Sequence, residues 1–179
     1  MGLTITKEKI RDLSAEVFHG EIVVIDKVED VTGAIEYLKQ VTNKVALMQL
    51  STLDKCFLFR LNLIQYPDEL DDLICSKDVK KIGLSLRDDF AALRKRTDCA
   101  PLNFIDLQTF VQDYGIKDMS LQKIYAILFN KKISKNQRLS NWEAKRLKES
   151  QKMYAAIDAW ACLRIYNYLK QNGAPAKAE

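Results

Sequence analysis

Short apolar segments with the composition of β-strands alternate with amphipathic helical segments along most of this 179-residue chain. Segment 21–26 (EIVVID) is rich in β-branched residues and follows Gly20, which predicts a strand. Segments 44–51 and 55–61 flank a short turn at 52–54, which predicts an antiparallel hairpin. Further strands are predicted at 79–84 and 104–107. Such an element order predicts one α/β domain with a mixed central β-sheet flanked by helices.

Helical periodicity and capping residues predict the helices between these strands. Ser140 and Glu143 form a capping-box pattern that predicts the start of one helix. Asp88 and Asp89 fall in the first turn of another, after the strand at 79–84. The predicted helices are 30–40, 67–74, the one carrying Asp88 and Asp89, 108–114, 120–129 and 150–171.

Tyr154 and Asp158 lie one helical turn apart in the last predicted helix. Reading from Tyr154 at helical spacing gives Asp158, Ala161, Cys162 and Ile165, which is the pattern of a face turned to the core. An ionised carboxylate on such a face is costly unless a charge or hydrogen bond compensates it. The sequence alone leaves two interpretations open, a structural ion pair or a functional carboxylate.

The cysteine and histidine content limits the chemistry that the chain can perform. His19 is the only histidine, which excludes a multi-histidine metal site and argues against a Ser-His or Cys-His nucleophile. Cys56, Cys75, Cys99 and Cys162 are widely spaced, and free thiols in a reducing cytoplasm are expected. Any metal must therefore be held by carboxylates, whose hard oxygens favour Mg²⁺ or Mn²⁺.

The net charge of +4 permits nucleic-acid binding without indicating it. Basic residues crowd two stretches, and such patches are suited to a phosphate backbone but are equally common on solvated surfaces. No apolar run approaches the length of a membrane span, so no membrane interaction is expected. The basic residues are Lys131, Lys132, Lys135, Arg138, Lys145, Arg146 and Lys148 in one stretch and Arg87, Arg94, Lys95 and Arg96 in the other.

Four segments of the chain carry a resemblance to a known family. They are 44–51 (KVALMQLS), 81–90 (KIGLSLRDDF), 137–142 (QRLSNW) and 154–158 (YAAID), the last followed by Ala159 and Trp160. In this order the segments resemble the DnaQ-like (DEDD) 3′–5′ exonuclease domains, in the DEDDy branch with a tyrosine in the third motif. The group that the chain resembles is that of ribonuclease D and the Werner exonuclease.

This resemblance implies a ribonuclease H-like fold over residues 20–172, with an N-terminal extension at 1–19 and a C-terminal tail at 173–179. It implies hydrolysis of single-stranded or 3′-recessed DNA or RNA from the 3′ end with two Mg²⁺ or Mn²⁺ ions. Asp89 and Asp158 would be metal ligands, and Tyr154 would assist catalysis by orienting the attacking water. The residues that would flank the 3′ end of the strand are Gln137, Arg138, Ser140, Asn141 and Trp142.

The family's first motif, Asp-x-Glu on a central strand, is missing from the sequence. It should lie between the helix ending near Gln40 and the strand starting at Lys44, where no room remains. Asp26 and Glu29 do not replace it, because their spacing is one residue too long and would point them to opposite faces of a strand. A natural deletion, a stretch absent from this sequence and a substitute carboxylate all remain open. The alternatives to an active enzyme are a catalytically degenerate nucleic-acid-binding module and, less strongly, a protein-interaction domain.

Overall fold

The computed structural model of the protein describes residues 2–40, 49–61, 63–64, 66–94, 97–142 and 144–174. Short 3₁₀ helices occupy Val28–Asp30 and Val111–Tyr114. The strands are β1 (Glu21–Ile25), β2 (Gln49–Ser51), β3 (Lys55–Phe59), β4 (Lys81–Gly83) and β5 (Phe104–Asp106). The α-helices are α1 (Lys7–Arg11), α2 (Val31–Gln40), α3 (Asp68–Ile74), α4 (Leu86–Leu93), α5 (Leu107–Phe110), α6 (Leu121–Phe129) and α7 (Glu149–Asn172).

The described strands form two small sheets. In the first, β1 runs parallel to β3 and β2 runs antiparallel to it, in the order β1-β3-β2. The second sheet pairs β4 with β5 in parallel. The predicted hairpin and the predicted α/β class with mixed strand directions are therefore confirmed. Residues 44–48 of the predicted second strand, and the place expected for the missing motif, lie outside the described residues.

Helix α7 connects the two sheets, since it packs against β2 and β3 of the first and against β4 of the second. The buried side chains along it include Ala156, Ala161, Ile165 and Leu169, all at most 1% exposed. The helix ends at Gly173, whose φ of 72° is a left-handed conformation that glycine adopts without steric cost. The apolar stripe predicted from the sequence is thus a core face, and it carries Tyr154 and Asp158 into the space between the sheets.

The segment before β1 is anchored to α6 and α7 by a buried carboxylate. Glu16 accepts a hydrogen bond from the Tyr125 hydroxyl at 2.8 Å. It also pairs with Arg164 at 2.9 Å and with Lys131 at 3.3 Å. These partners offset burial and hold the pKa of Glu16 below its usual value. The hydrogen bond and ion pairs of Glu16 therefore hold the N-terminal segment against α6 and α7.

Two local predictions are wrong. Ser140 does not open a helix, since residues 140–142 and 144–148 are not helical and the next helix is α7, from Glu149. The Ser140 hydroxyl instead accepts a hydrogen bond from the Gln151 side chain at 3.0 Å, and the Lys148 backbone N–H donates to the same Gln151 side chain at 3.0 Å. The expectation of four free thiols also fails. Cys75 and Cys99 form a disulfide with a Cα–Cα distance of 6.2 Å.

Candidate active site

A cavity of about 750 Å³ opens beside the ends of β3 and β4, along one face of α7. Residues 49, 108, 119–122 and 147 contribute to its lining, and the rest comes from four parts of the chain that are distant in sequence. These are residues 58–61 at the end of β3, residues 83–86 and 89 at the β4–α4 turn, residues 133–135, 138 and 142 of the following basic loop, and residues 154, 155, 158, 159 and 162 of α7. Tyr154, Asp158 and Asp89, which the sequence analysis selected, all line this one cavity.

Asp158 is partly buried in the wall of the cavity, and burial raises its pKa to about 6. A hydrogen-bonding interaction with Tyr154 and the positive charge of Lys135 act in the opposite direction, but they are the smaller effects. Burial and the neighbouring Asp158 charge raise the pKa of Tyr154 to about 12. Tyr154 is therefore a neutral hydroxyl at physiological pH, and it faces a carboxylate that gains strongly from a cation.

Asp89 lies in the first turn of α4, as predicted, and lines the same cavity as the α7 residues. Loss of hydration raises its pKa, and the negative charges of Asp88 and Asp106 raise it further. A cation bound at Asp89 would offset the repulsion from these two neighbouring charges. Asp88 is exposed on the same turn of α4.

Asp106 fixes the start of α4 and with it the position of Asp89. Its carboxylate accepts hydrogen bonds from the backbone N–H groups of Ser85 at 3.1 Å and Leu86 at 2.9 Å. It also caps α5 by accepting the Gln108 N–H at 2.9 Å. Ser85 has a φ of 62°, a left-handed conformation that is costly for a residue with a side chain. The Asp106 bonds offset that cost.

Of the five residues predicted to grip the strand, Arg138 and Trp142 line the cavity. The Trp142 ring lies 6.0 Å from the ring of Tyr154, centroid to centroid, and Trp142 packs against the core beneath the site. Arg138 is exposed, and its positive charge lowers the pKa of Tyr154, although burial outweighs this effect. Both interpretations of Trp142, as an anchor for α7 and as a support for a base, are compatible with this position.

The other three predicted residues form the turn beside the cavity, and they are partly engaged within the protein. The Gln137 carbonyl accepts hydrogen bonds from the Ser140 N–H at 3.1 Å and from the Ser140 hydroxyl at 2.8 Å. The buried Gln151 side chain donates to the Asn141 carbonyl at 3.1 Å. This turn is therefore held against the start of α7, and its role in substrate binding stays a prediction.

The acidic groups of the cavity set a limit on metal binding. In the ranges that the structure describes, no group of three histidine, cysteine, aspartate or glutamate side chains is arranged to hold a metal ion. Asp89 and Asp158 supply two carboxylates. That set suits one Mg²⁺ or Mn²⁺ ion completed by waters and phosphate oxygens, because Mg²⁺ commonly uses one or two protein carboxylates. It does not suit a pair of ions.

Two polar residues of the site were missed by the sequence analysis. Asp106 lies near the end of the predicted strand at 104–107, just before a predicted helix, and aspartate is a favoured N-cap residue, so a local signal was present. Arg60 lines the cavity although it is only 7% exposed. No local signal marks it, because a basic residue at the end of a strand is normally solvated.

Comparison with known proteins supports the same function class. A family model described as a 3′–5′ exonuclease matches residues 34–174, which is most of the chain. The chain belongs to the 3′–5′ exonuclease domain family. The sequence-based identification is therefore confirmed at the level of the DEDD-type exonucleases, and the ribonuclease H-like fold is confirmed with it.

Two relatives place this exonuclease domain among larger proteins. The mouse bifunctional 3′-5′ exonuclease/ATP-dependent helicase WRN is 33% identical over 142 residues, which cover 75% of this chain and 10% of that protein. Exonuclease 3′-5′ domain-containing protein 2 of Drosophila melanogaster is 35% identical over 135 residues, covering 73% of this chain and 23% of that protein. The chain thus spans less than a quarter of the length of either relative.

A solved structure supports the fold independently. The exonuclease domain of Aedes aegypti Nibbler superposes with a TM-score of 0.77 at 19% sequence identity, covering 88% of this chain and 92% of the other. At that identity the similarity shows the fold alone. Among the described helices, none has both the length and the apolar character needed to cross a membrane.

Proposed function

We propose that this domain hydrolyses single-stranded or 3′-recessed DNA or RNA from the 3′ end, releasing nucleoside 5′-monophosphates. The observation that carries the proposal is the meeting of Tyr154, Asp158 and Asp89 in one cavity of a chain from the 3′–5′ exonuclease domain family. The mouse and fly relatives are both named as 3′–5′ exonucleases, which supports the direction of attack.

The roles of the residues follow from their positions. Asp89 and Asp158 would bind Mg²⁺ or Mn²⁺. The Asp158 carboxyl group, whose pKa is raised to about 6, must be deprotonated to bind the ion. A divalent cation bound there would supply Lewis-acid polarisation of the scissile phosphate and of a water molecule. Tyr154 stays protonated at neutral pH, so its hydroxyl can orient the attacking water, as in the tyrosine branch of the family. Arg138 would neutralise a phosphate at the 3′ end, and Trp142 would support the terminal base.

The test uses single strands and recessed duplexes that carry a label at the 5′ end, incubated with the protein and Mn²⁺. A ladder that shortens progressively from the 3′ end supports the proposal, provided that Asp158→Ala abolishes it. Asp113→Ala is the matched control, because Asp113 is an exposed aspartate that does not line the cavity. A ladder that persists unchanged in Asp158→Ala would show that another nuclease or another site is responsible.

One observation favours a second candidate function, a nucleic-acid-binding module that does not cleave. The described residues of the cavity offer two carboxylates rather than the larger set implied for a two-metal site. Arg138 and Trp142 would then bind the strand, and no phosphodiester bond would be cleaved. Strand binding with no degradation in Mg²⁺ or Mn²⁺ would favour this module over the enzyme.

A further inference from the structure

Arg60 is a buried cation on the wall of the cavity. It follows β3 directly, and its backbone N–H continues the sheet by donating to the Ile25 carbonyl at 2.9 Å. Its side chain is 7% exposed and lines the same cavity as Tyr154 and Asp158. A guanidinium does not lose its proton in proteins, so Arg60 carries its full charge into a largely dehydrated position.

The protein neutralises this charge only in part. Nη1 donates to the Lys145 carbonyl at 3.1 Å, and Nη2 donates to the Ala144 carbonyl. Nε is buried and has no hydrogen-bond partner among the described residues. In the part of the chain that the structure describes, no carboxylate forms an ion pair with Arg60. Two neutral carbonyls accept hydrogen bonds but supply no negative charge.

Two other charged residues with buried side chains, Glu16 and Lys81, avoid the cost of an uncompensated buried charge. Glu16 pairs with Arg164 and Lys131. Buried Lys81 donates to the Leu73 and Ser76 carbonyls at 3.1 and 2.8 Å, and burial lowers its pKa to about 8, so it can shed its charge at small cost. Arg60 can do neither. A buried, permanently charged group without a counter-charge is costly, and an anion in the cavity would remove that cost.

We propose that Arg60 binds a backbone phosphate of the substrate strand, one step removed from the phosphate that is cleaved. The inference rests on the proposed function, which supplies a polyanion to this cavity. Arg60 lines the cavity from the end of β3, whereas Lys135 and Arg138 line it from the loop before α7. Arg60 therefore approaches the strand from a different wall of the cavity. Charge-assisted hydrogen bonds from arginine to phosphate are among the stronger polar contacts.

A purely structural role is the competing account, since the two carbonyl bonds tie β3 to the loop that precedes α7. Such a structural link, called a strap below, would affect stability. It would not make the salt dependence of strand affinity change when the Arg60 charge is removed. The salt dependence of affinity counts phosphates that are neutralised, and each one contributes about 0.7 to the slope of log K against log salt for single strands. This slope separates the two roles.

The experiment measures the affinity of a fluorescent ten-nucleotide single strand by anisotropy, in EDTA so that nothing is cleaved, from low to moderate salt. Arg60→Gln should weaken binding about tenfold or more and reduce the slope by about 0.7. Arg60→Lys keeps the charge and should keep the slope. Lys170→Gln, which removes an exposed charge on α7 about 18 Å along the helix from Asp158, should change neither quantity.

If both Arg60 variants lowered the melting temperature but left the slope unchanged, Arg60 would be a strap and the inference would be wrong. If the wild-type protein bound no strand, the proposed function would fail and this inference with it. Should Arg60→Gln fail to fold, the wild-type protein still gives an answer. The Nε–H signal of Arg60 in a nitrogen-15 spectrum, assigned with Arg60→Lys, should shift during titration with the strand. A signal that stays unchanged to saturation would refute phosphate binding.

Discussion

Replacing Asp106 by asparagine should lower both the stability of the domain and the pKa of Asp89. The Asp106 carboxylate accepts three backbone N–H groups, two at the start of α4 and one at the start of α5. One oxygen accepts from Ser85 and Gln108, and the other accepts from Leu86. An asparagine has one acceptor oxygen and one amide group. At least one of the N–H groups would therefore face a donor instead of an acceptor.

The size of the effect follows from these contacts. Hydrogen bonds to a charged acceptor contribute about 1.5–3 kcal/mol, so the loss of the Leu86 bond alone should cost about 2 kcal/mol. For a domain of this length that corresponds to about 4–8 °C in melting temperature. The charge of Asp106 also raises the pKa of Asp89, so its removal must lower that pKa. A role confined to holding the two helices would leave the Asp89 titration unchanged.

The assay combines denaturant unfolding with a carbon-13 NMR titration of the aspartate side chains. Asp88→Asn is the matched control, because Asp88 also raises the pKa of Asp89 but is an exposed residue of α4. Both variants should lower the pKa of Asp89, and Asp106→Asn alone should lose about 2 kcal/mol. Equal stability of the two variants would refute the argument that Asp106 fixes the start of α4.

Three further predictions concern the same domain. Burial raises the pKa of Asp158 to about 6, so its ionisation destabilises the fold as pH rises from about 4 through 6. The free energy of unfolding of Asp158→Asn should exceed that of wild type by about 3 kcal/mol at pH 8 and match it at pH 4. Equal unfolding curves at both pH values would contradict this. Reducing the Cys75–Cys99 disulfide, whose cysteines are 24 residues apart, should remove about 3 kcal/mol of stability. Cys75→Ser should not respond to reductant, and a wild-type melting temperature insensitive to reductant would rule the bond out. Tyr154→Phe should slow hydrolysis about a hundredfold with strand affinity unchanged, and an unaltered rate would remove the hydroxyl from the mechanism.

The features that sequence predicted well are those set by local periodicity and turns. The stripe through Tyr154, Asp158 and Ile165 depends only on helical spacing, and it correctly indicated which face of α7 is turned inward. The hairpin of β2 and β3 follows from two apolar runs around a three-residue turn. The position of Asp89 in the first turn of a helix was likewise readable from the strand and the charges that precede it.

The features that sequence missed depend on contacts between distant segments. Arg60 is buried because the carbonyls of residues 144 and 145 receive its guanidinium, and a strand pattern carries no information about that loop. The Cys75–Cys99 disulfide depends on how the end of α3 meets the segment after α4. Ser140 has the pattern of a capping box, but its hydroxyl accepts a hydrogen bond from the side chain of Gln151, eleven positions later. The local sequence pattern does not distinguish this contact from a helix cap.

The central claim is that the cavity between Asp89 and Asp158 removes nucleotides from the 3′ end of a strand. The most direct measurement follows one single strand with a different fluorophore on each of its terminal nucleotides, incubated with the protein and Mn²⁺. Our account predicts that the 3′ fluorophore is released first, on a mononucleotide, while the 5′ fluorophore stays on progressively shorter strands, and that Asp158→Asn releases neither. Early release of the 5′ fluorophore, internal cleavage, or equal release by Asp158→Asn would contradict it.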